Sequence, residues 1–490
     1  MNLETLNPLV LTSLTPIAGT FVLLSVPSAN DNLCRNLSLW TVCLTFLSSL
    51  GLWIQFDSST AFFQFSTTFL WFPASNFYYV VGIDGISLFF ILLTTFLIMV
   101  CVLVSWSAVH YNVKEYLICF LILEFLLIQV FCVLDVFLFY VYFESVLIPM
   151  FLIIGIWGSR QRKVRAAYQF FLYTLLGSLL MLLGLLIMYL QEGSTDLQIL
   201  WYSEFSETKQ VVLWLTFFAS FAVKIPMIPF HIWLPEAHAE APTSGSVILA
   251  GVLLKMGGYG FLRFSLPMFP LASIFFTPLV FTLSLFAILY ASLTTLRQID
   301  LKKIIAYSSI SHMGFITMGI FSLNIQGLEG SVVLMLSHGL VSSALFLCIG
   351  VLYDRHKTRV IKYYGGLVQV MPIFGTFFLF FTLANAGFPG TSSFIGEILV
   401  LVGAFQTNTT LTLFSALGIV SGAAYSIWLF NRLNFGILKL EYFSLFQDVS
   451  RRESCVLLPL LVLVLWIGLH PHSFLSDIHF SSVNLLEMIS

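Results

Sequence analysis

Apolar runs about 20 residues long, separated by short polar segments, fill almost the whole chain. An α-helix needs about that many apolar residues to cross the hydrocarbon core of a bilayer. The pattern predicts an all-α polytopic membrane protein of about fourteen spans. They fall at roughly 9–28, 37–56, 84–106, 115–133, 136–158, 167–190, 210–231, 243–265, 271–293, 302–322, 329–353, 372–403, 411–431 and 455–470. The seventh is interrupted by Pro226 and Pro229, the twelfth by Gly387, Pro389 and Gly390. The longest segments between spans, 57–83, 191–209, 354–371 and 432–454, are too short for a water-soluble domain.

Charge placement supports the count. Seventeen of the 21 Lys and Arg residues fall in alternate loops, chiefly 159–165, 297–303, 355–362 and 432–452, and one missed span would scramble that alternation. By the positive-inside rule these loops face the cytoplasm, or the matrix of a mitochondrion. An even number of spans then puts both termini on the intermembrane-space or periplasmic side.

Composition narrows the class. The chain of 490 residues is 59% hydrophobic and only 9% charged, against about 25% charged in a soluble domain. It could not cover a water-facing surface. Net charge is −2, which leaves no basic footprint for nucleic acid. The start, MNLETLNPLV, lacks the positive stretch of a signal peptide and the Arg-rich pattern of a transit peptide. The seven cysteines form no C-x-x-C pair, and most lie inside apolar runs, as packing residues do rather than metal or iron–sulfur ligands. No G-x-G-x-x-G or P-loop pattern is present.

Candidate chemistry is confined to the ionisable residues inside spans. Lys255 lies near the centre of the eighth span, too far from either end for its stem to reach water. Lys224 stands directly before Pro226 in the broken seventh span. Glu144 is the sole carboxylate of the fifth span, and paired with Lys224 both could stay charged. Glu124 is a second carboxylate in the fourth span, with an interhelical hydrogen bond as its structural alternative. In the second half, His312, His338 and Glu397 occupy the tenth, eleventh and twelfth spans. Glu144 precedes Lys224 by 80 residues, and His312 precedes Glu397 by 85. With five spans per unit, this spacing predicts inverted repeats over 111–266 and 267–433. Three helices precede them in 1–110, and a loop and last helix follow in 434–490. Inverted repeats with broken helices at mid-depth are transporter architecture. Lys, Glu and His in a line there can pass a proton, because their affinities depend steeply on their partners.

At these residues the chain resembles the antiporter-like membrane subunits of respiratory complex I. The likeness covers roughly 84–435. It rests on GIDGISLFF (82–90), FYVYFESVLIPM (139–150), KIPMIPFHIWLPEAHAEAPTSGSVILAGVLLKMGGYG (224–260), LKKIIAYSSISHMG (301–314), SHGLVSSALFL (337–347) and FPGTSSFIGE (388–397). The resemblance implies a proton-translocating subunit of NADH:ubiquinone reductase. Glu144 and Lys224 match the family's inner-side pair, Lys255 its central lysine, His312 and His338 its linking histidines, and Glu397 its exit-side acid. His231, Glu236, His238 and Glu240 lie near the inner mouth, as loop structure or for proton uptake. The resemblance places NADH, FMN, iron–sulfur clusters and ubiquinone in other subunits, with neighbouring antiporter-like subunits and lipids as partners. The 51 phenylalanines and the missing presequence fit an organelle-encoded product. That favours the mitochondrial inner membrane over a bacterial plasma membrane. Two rival readings stand beside this one. One is a free-standing or Mrp-type cation/proton antiporter subunit. The other is a di-haem cytochrome, against which no span carries two histidines at haem-pairing distance.

Overall fold

A computed structural model describes residues 7–72, 77–439, 442 and 447–489. The first elements are α1 (Pro8–Ser25), α2 (Asp31–Gln55), an antiparallel hairpin of β1 (Gln64–Phe72) and β2 (Phe77–Ile83), α3 (Gly85–Ala108) and α4 (Val113–Cys132). Next come α5 (Val136–Ser145), α6 (Leu147–Trp157), α7 (Lys163–Glu192), α8 (Leu197–Trp201), α9 (Glu207–Lys224) and α10 (Trp233–Glu240). A helix with two π-helical stretches, α11 (Thr243–Met268), leads to α12 (Pro270–Thr295), α13 (Leu301–Ile320) and α14 (Ile325–His356). The chain closes with α15 (Pro372–Asn385), α16 (Ser392–Thr407), α17 (Thr409–Asn434), α18 (Arg451–Leu469) and α19 (His472–Ile489).

Among the described residues, eleven helices are long and apolar enough to cross a membrane, α5 and α6 counting as one. The three other predicted spans are helical but fall short. The 210–231 run stops as α9 at Lys224, α13 is diluted by Lys302, Lys303, three serines and His312, and the 372–403 run is divided into α15 and α16. Four elements were not expected. Two are the short helices α8 and α10 between spans. Within 57–83, Gln64–Phe72 and Phe77–Ile83 pair as antiparallel strands. The C-terminal stretch forms α19, whose buried Phe474, Ile478, Ser481 and Leu485 recur at helical spacing. Its apolar residues form a stripe rather than a run, so a search for continuous apolar stretches passes over it.

The chain divides into two compact units. The first is drawn from Met1–Lys224, Val252–Phe276 and Ser476–Ser490. Its core is α3 and α4, buried along most of their length, while α1, α2 and α7 turn apolar side chains such as Phe21, Trp40 and Leu176 outward. Asp84 caps α3 through a capping box with Ser87, and the Gly85 N–H donates to Ser481 Oγ at 3.1 Å. Trp53 of α2 donates its indole N–H to Asp477 at 3.0 Å, so α19 is tied to both helices.

The second unit is drawn from Ile225–Gly251 and Thr277–Leu475. Here α14 is wholly buried along its membrane-length window. Its close fit with α16 follows from small residues: a Cβ on Gly396 would come within 2.8 Å of Leu334 Cα, and one on Gly330 within 2.6 Å of Leu399 Cβ. Such glycines let helix backbones approach where lipid offers no hydrophobic drive for packing.

Candidate functional site

In the first unit α9 ends at Lys224, and residues 225–232 run as turns before α10. Pro226 and Pro229 bring no backbone donor and cannot continue the helix. Lys224 is 2% exposed, and its Nζ makes no hydrogen bond. It lies 4.3 Å from the centroid of the Phe143 ring, a cation–π contact. Glu144, the next residue of α5, is half-buried, with both carboxylate oxygens shielded from water and the Ser178 hydroxyl as a neighbour that stabilises its charge. Glu144 and Lys224 attract one another, but among the described residues they form no ion pair within 4 Å. The pair expected from the sequence is thus a facing pair, not a closed salt bridge. Two buried groups with unfilled hydrogen-bonding capacity are costly unless water or a proton reaches them.

Lys255 is fully buried in α11. It stands between two π-helical stretches, Leu249–Leu253 and Phe261–Ser265. Such wide turns are rare in helices and cluster at functional sites. Glu124 is also fully buried, and Thr45 of α2 donates to its Oε1 at 2.6 Å. Among the described residues no hydrogen bond or ion pair within 4 Å joins Glu124 to Glu144 or Lys224. Its geometry is that of a bond between α2 and α4.

The second unit brings three expected residues together. His312 Nδ1 of α13 lies 3.3 Å from Glu397 Oε1 of α16. The His312 and His338 rings are 5.7 Å apart between centroids, with His338 contributed by α14. All three are at most 6% exposed. The break between α15 and α16 makes room for the carboxylate. Gly387 has φ +71°, and a Cβ there would sit 2.5 Å from Glu397 Oε2. Ser393 holds the two half-helices together by donating to Ala384 O. Gly387→Ala is therefore expected to cost about 1–2 kcal/mol in backbone strain and to displace the Glu397 carboxylate. The check is proton-to-electron stoichiometry in assembled protein, which should fall while Ala384→Gly, one turn away, leaves it unchanged.

The residues near the expected inner mouth are also placed. Glu236 meets Lys303 at 2.5 Å, and His238 stacks on Phe346 with centroids 4.7 Å apart. His231 packs edge-on against Tyr290 and Tyr307. Glu240 lies 3.8 Å from Arg359, which also faces Asp300 at 3.9 Å. Two residues counted as loop charges prove buried: Arg359 at 0% exposure, and Lys302 at 1%, donating to Ala241 O at 2.7 Å. In the first unit Arg263, near the end of the eighth predicted span, forms a buried ion pair: it reaches Asp84 at 2.6 Å and the Tyr259 hydroxyl at 3.1 Å. The signal was there in part, since an Asp before an apolar run is a helix cap; the same Oδ1 that accepts from the Ser87 N–H also accepts from Arg263.

Buried ionisable residues beside broken membrane helices define an ion-translocating membrane protein. The model of the NADH:quinone oxidoreductase/Mrp antiporter transmembrane family matches residues 133–423. NADH-ubiquinone oxidoreductase chain 4 of Chondrus crispus is 78% identical over 490 residues, 100% of each chain. A chain of respiratory complex I from Thermus thermophilus with bound NADH superposes with a TM-score of 0.90 at 30% identity, over 98% of this chain and 100% of that one. A chain of the Mrp complex from Dietzia shares the fold at a TM-score of 0.87 and 19% identity, with 100% of both covered. The chain belongs to the NADH:quinone oxidoreductase/Mrp antiporter family, in its complex I chain 4 branch.

Proposed function

We propose that this chain is a proton-translocating subunit of the membrane arm of respiratory complex I, in the mitochondrial inner membrane with both termini on the intermembrane-space side. Electron transfer from NADH to ubiquinone belongs to other subunits, and this chain does no redox chemistry. Its own task is to take a proton at Glu144 and Lys224, pass it by Lys255 to His312 and His338, and release it through Glu397. The two groups of residues belong to inverted five-helix repeats over 111–266 and 267–433. The observation that carries the reading is the facing pair: Lys224 and the Glu144 carboxylate are shielded from water and mutually attracted, with no salt bridge closed between them. A closed salt bridge would hold its charges in place. An open one can exchange them.

The energetics set the demand. Moving one proton against about 150–200 mV costs roughly 3.5–4.6 kcal/mol, and one pKa unit is about 1.36 kcal/mol. A site must swing by about three units. Static burial supplies no swing, but a change of partner does. A double-mutant cycle on pumping tests this, using Glu144→Gln and Lys224→Met in assembled complexes. Strong non-additivity is expected because the two act as one switch; simply additive losses would overturn the scheme. Lys255→Arg should likewise pump poorly, because arginine keeps its proton at accessible pH. Normal pumping by that variant would make Lys255 a fixed charge.

The Mrp-type antiporter reading keeps the same residues but exchanges Na⁺ or K⁺ for H⁺. Cation-driven proton exchange by the purified chain alone in liposomes would favour it.

A further inference from the structure

On the Lys/Arg-rich side of the second unit, a cavity of about 540 Å³ opens at the end of α17. Trp428, Asn431 and Arg432 line it from one helix face, at i, i+3 and i+4. Lys439 lines it from the following segment. Tyr364 and Gly365 also line it, and Gly366 donates its N–H to Phe435 O at 3.1 Å. Three side chains offer donors. Among the described residues, the Trp428 indole, the Asn431 amide and the Arg432 guanidinium make no hydrogen bond or ion pair. Lys439 uses one donor, to Lys362 O at 2.5 Å, and an ammonium has three.

The same helix continues away from the cavity as an apolar stripe. Leu413, Leu417, Val420 and Ile427 are each about half exposed or more and recur at spacings of three, four and seven. A stripe of this kind fits the acyl region of a bilayer. A tryptophan at its end, followed within one turn by a cation, fits the headgroup level. Among the described residues no acidic side chain lines the cavity.

We propose that this cavity is a binding site for one anionic phospholipid. Its phosphodiester is held by Arg432 and Lys439, with Trp428 and Asn431 as further donors, and an acyl chain lies along the 413–427 stripe. The arrangement supplies what a phosphate needs, two cations and neutral donors lining one cavity. It also supplies the apolar track that free phosphate would not use. A volume of about 540 Å³ lies within the range of small-ligand sites.

The test uses the assembled complex in nanodiscs of phosphatidylcholine, doped with phosphatidylglycerol that carries a photoreactive diazirine on one acyl chain. Peptide mapping after illumination should find label on the 413–428 segment. Each basic residue near a membrane surface is worth about 1 kcal/mol, or roughly fivefold in binding. Labelling should therefore fall roughly fivefold in Arg432→Gln and again in Arg432→Gln/Lys439→Gln, and recover in Arg432→Lys. Absence of label on the stripe in wild-type complex overturns the proposal, as does label on a neighbouring subunit in its place. Equal labelling by a diazirine phosphatidylcholine removes the requirement for an anionic lipid and overturns it too. Loss of label under excess inorganic phosphate would assign the cavity to free phosphate instead. If Arg432→Gln fails to assemble, the wild-type map and Lys439→Gln still decide the outcome.

Discussion

An assembled complex carrying Glu144→Gln is expected to lose proton pumping by at least about tenfold, the worth of one pKa unit of relay free energy. Glutamine keeps the shape of the side chain and removes the exchangeable proton. Assembly should survive, because the carboxylate closes no salt bridge for the fold to lose and a glutamine can still face the Ser178 hydroxyl. Phe143 and Phe139 around it are packed against other rings and stay in place. Glu144→Asp should hurt less, since charge is kept and reach shortens by one methylene. The measurement is proton-to-electron stoichiometry in proteoliposomes, normalised to complex assembled on native gels. Normal stoichiometry in Glu144→Gln would remove this residue from the relay.

Arg263→Leu is expected to have the largest effect on stability. Removing one partner of a buried ion pair strands the other charge and costs about 3–5 kcal/mol. Asp84 would be the stranded group, at 4% exposure, and its partner of 2.6 Å would be gone. The guanidinium also lies over the Phe63 and Tyr259 rings, at 4.9 and 5.3 Å. The amount of assembled complex and its thermal midpoint should both drop. Replacing both partners, as Asp84→Asn with Arg263→Met, should recover part of the loss, since no charge is then left alone. If the double variant is as unstable as Arg263→Leu, the stranded charge is not the cause.

Much of this architecture was legible before any coordinates, for a physical reason. A span must be apolar along its whole length, so the sequence writes it as a run. The breaks in α9 and between α15 and α16 were legible because Pro and Gly act locally. Single buried charges such as Lys255 stood out against an apolar background. Partners were harder. Asp84 and Arg263 are 179 residues apart, and local pattern carries no trace of their meeting. Lys302 and Arg359 look like ordinary loop charges, and charge counting assumes that such residues reach water. The hairpin alternates in a short stretch rich in aromatics, and α19 has a stripe where a span has a run. Glu124 was read with two alternatives, and its bond to Thr45 favours the structural one.

The two π-helical stretches of α11 have a consequence for the genetics of this chain. A π turn holds one residue more than the α turn it replaces. Deleting one residue inside Leu249–Leu253, the stretch that holds no ion-paired side chain, would let that turn relax to α-helix without rotating the segments on either side. A deletion elsewhere in a packed helix turns everything beyond it by about 100°. This span therefore contains places where a codon can be lost in frame without loss of the fold. A series of such deletions would separate what the lysine does from what its wide neighbouring turns do.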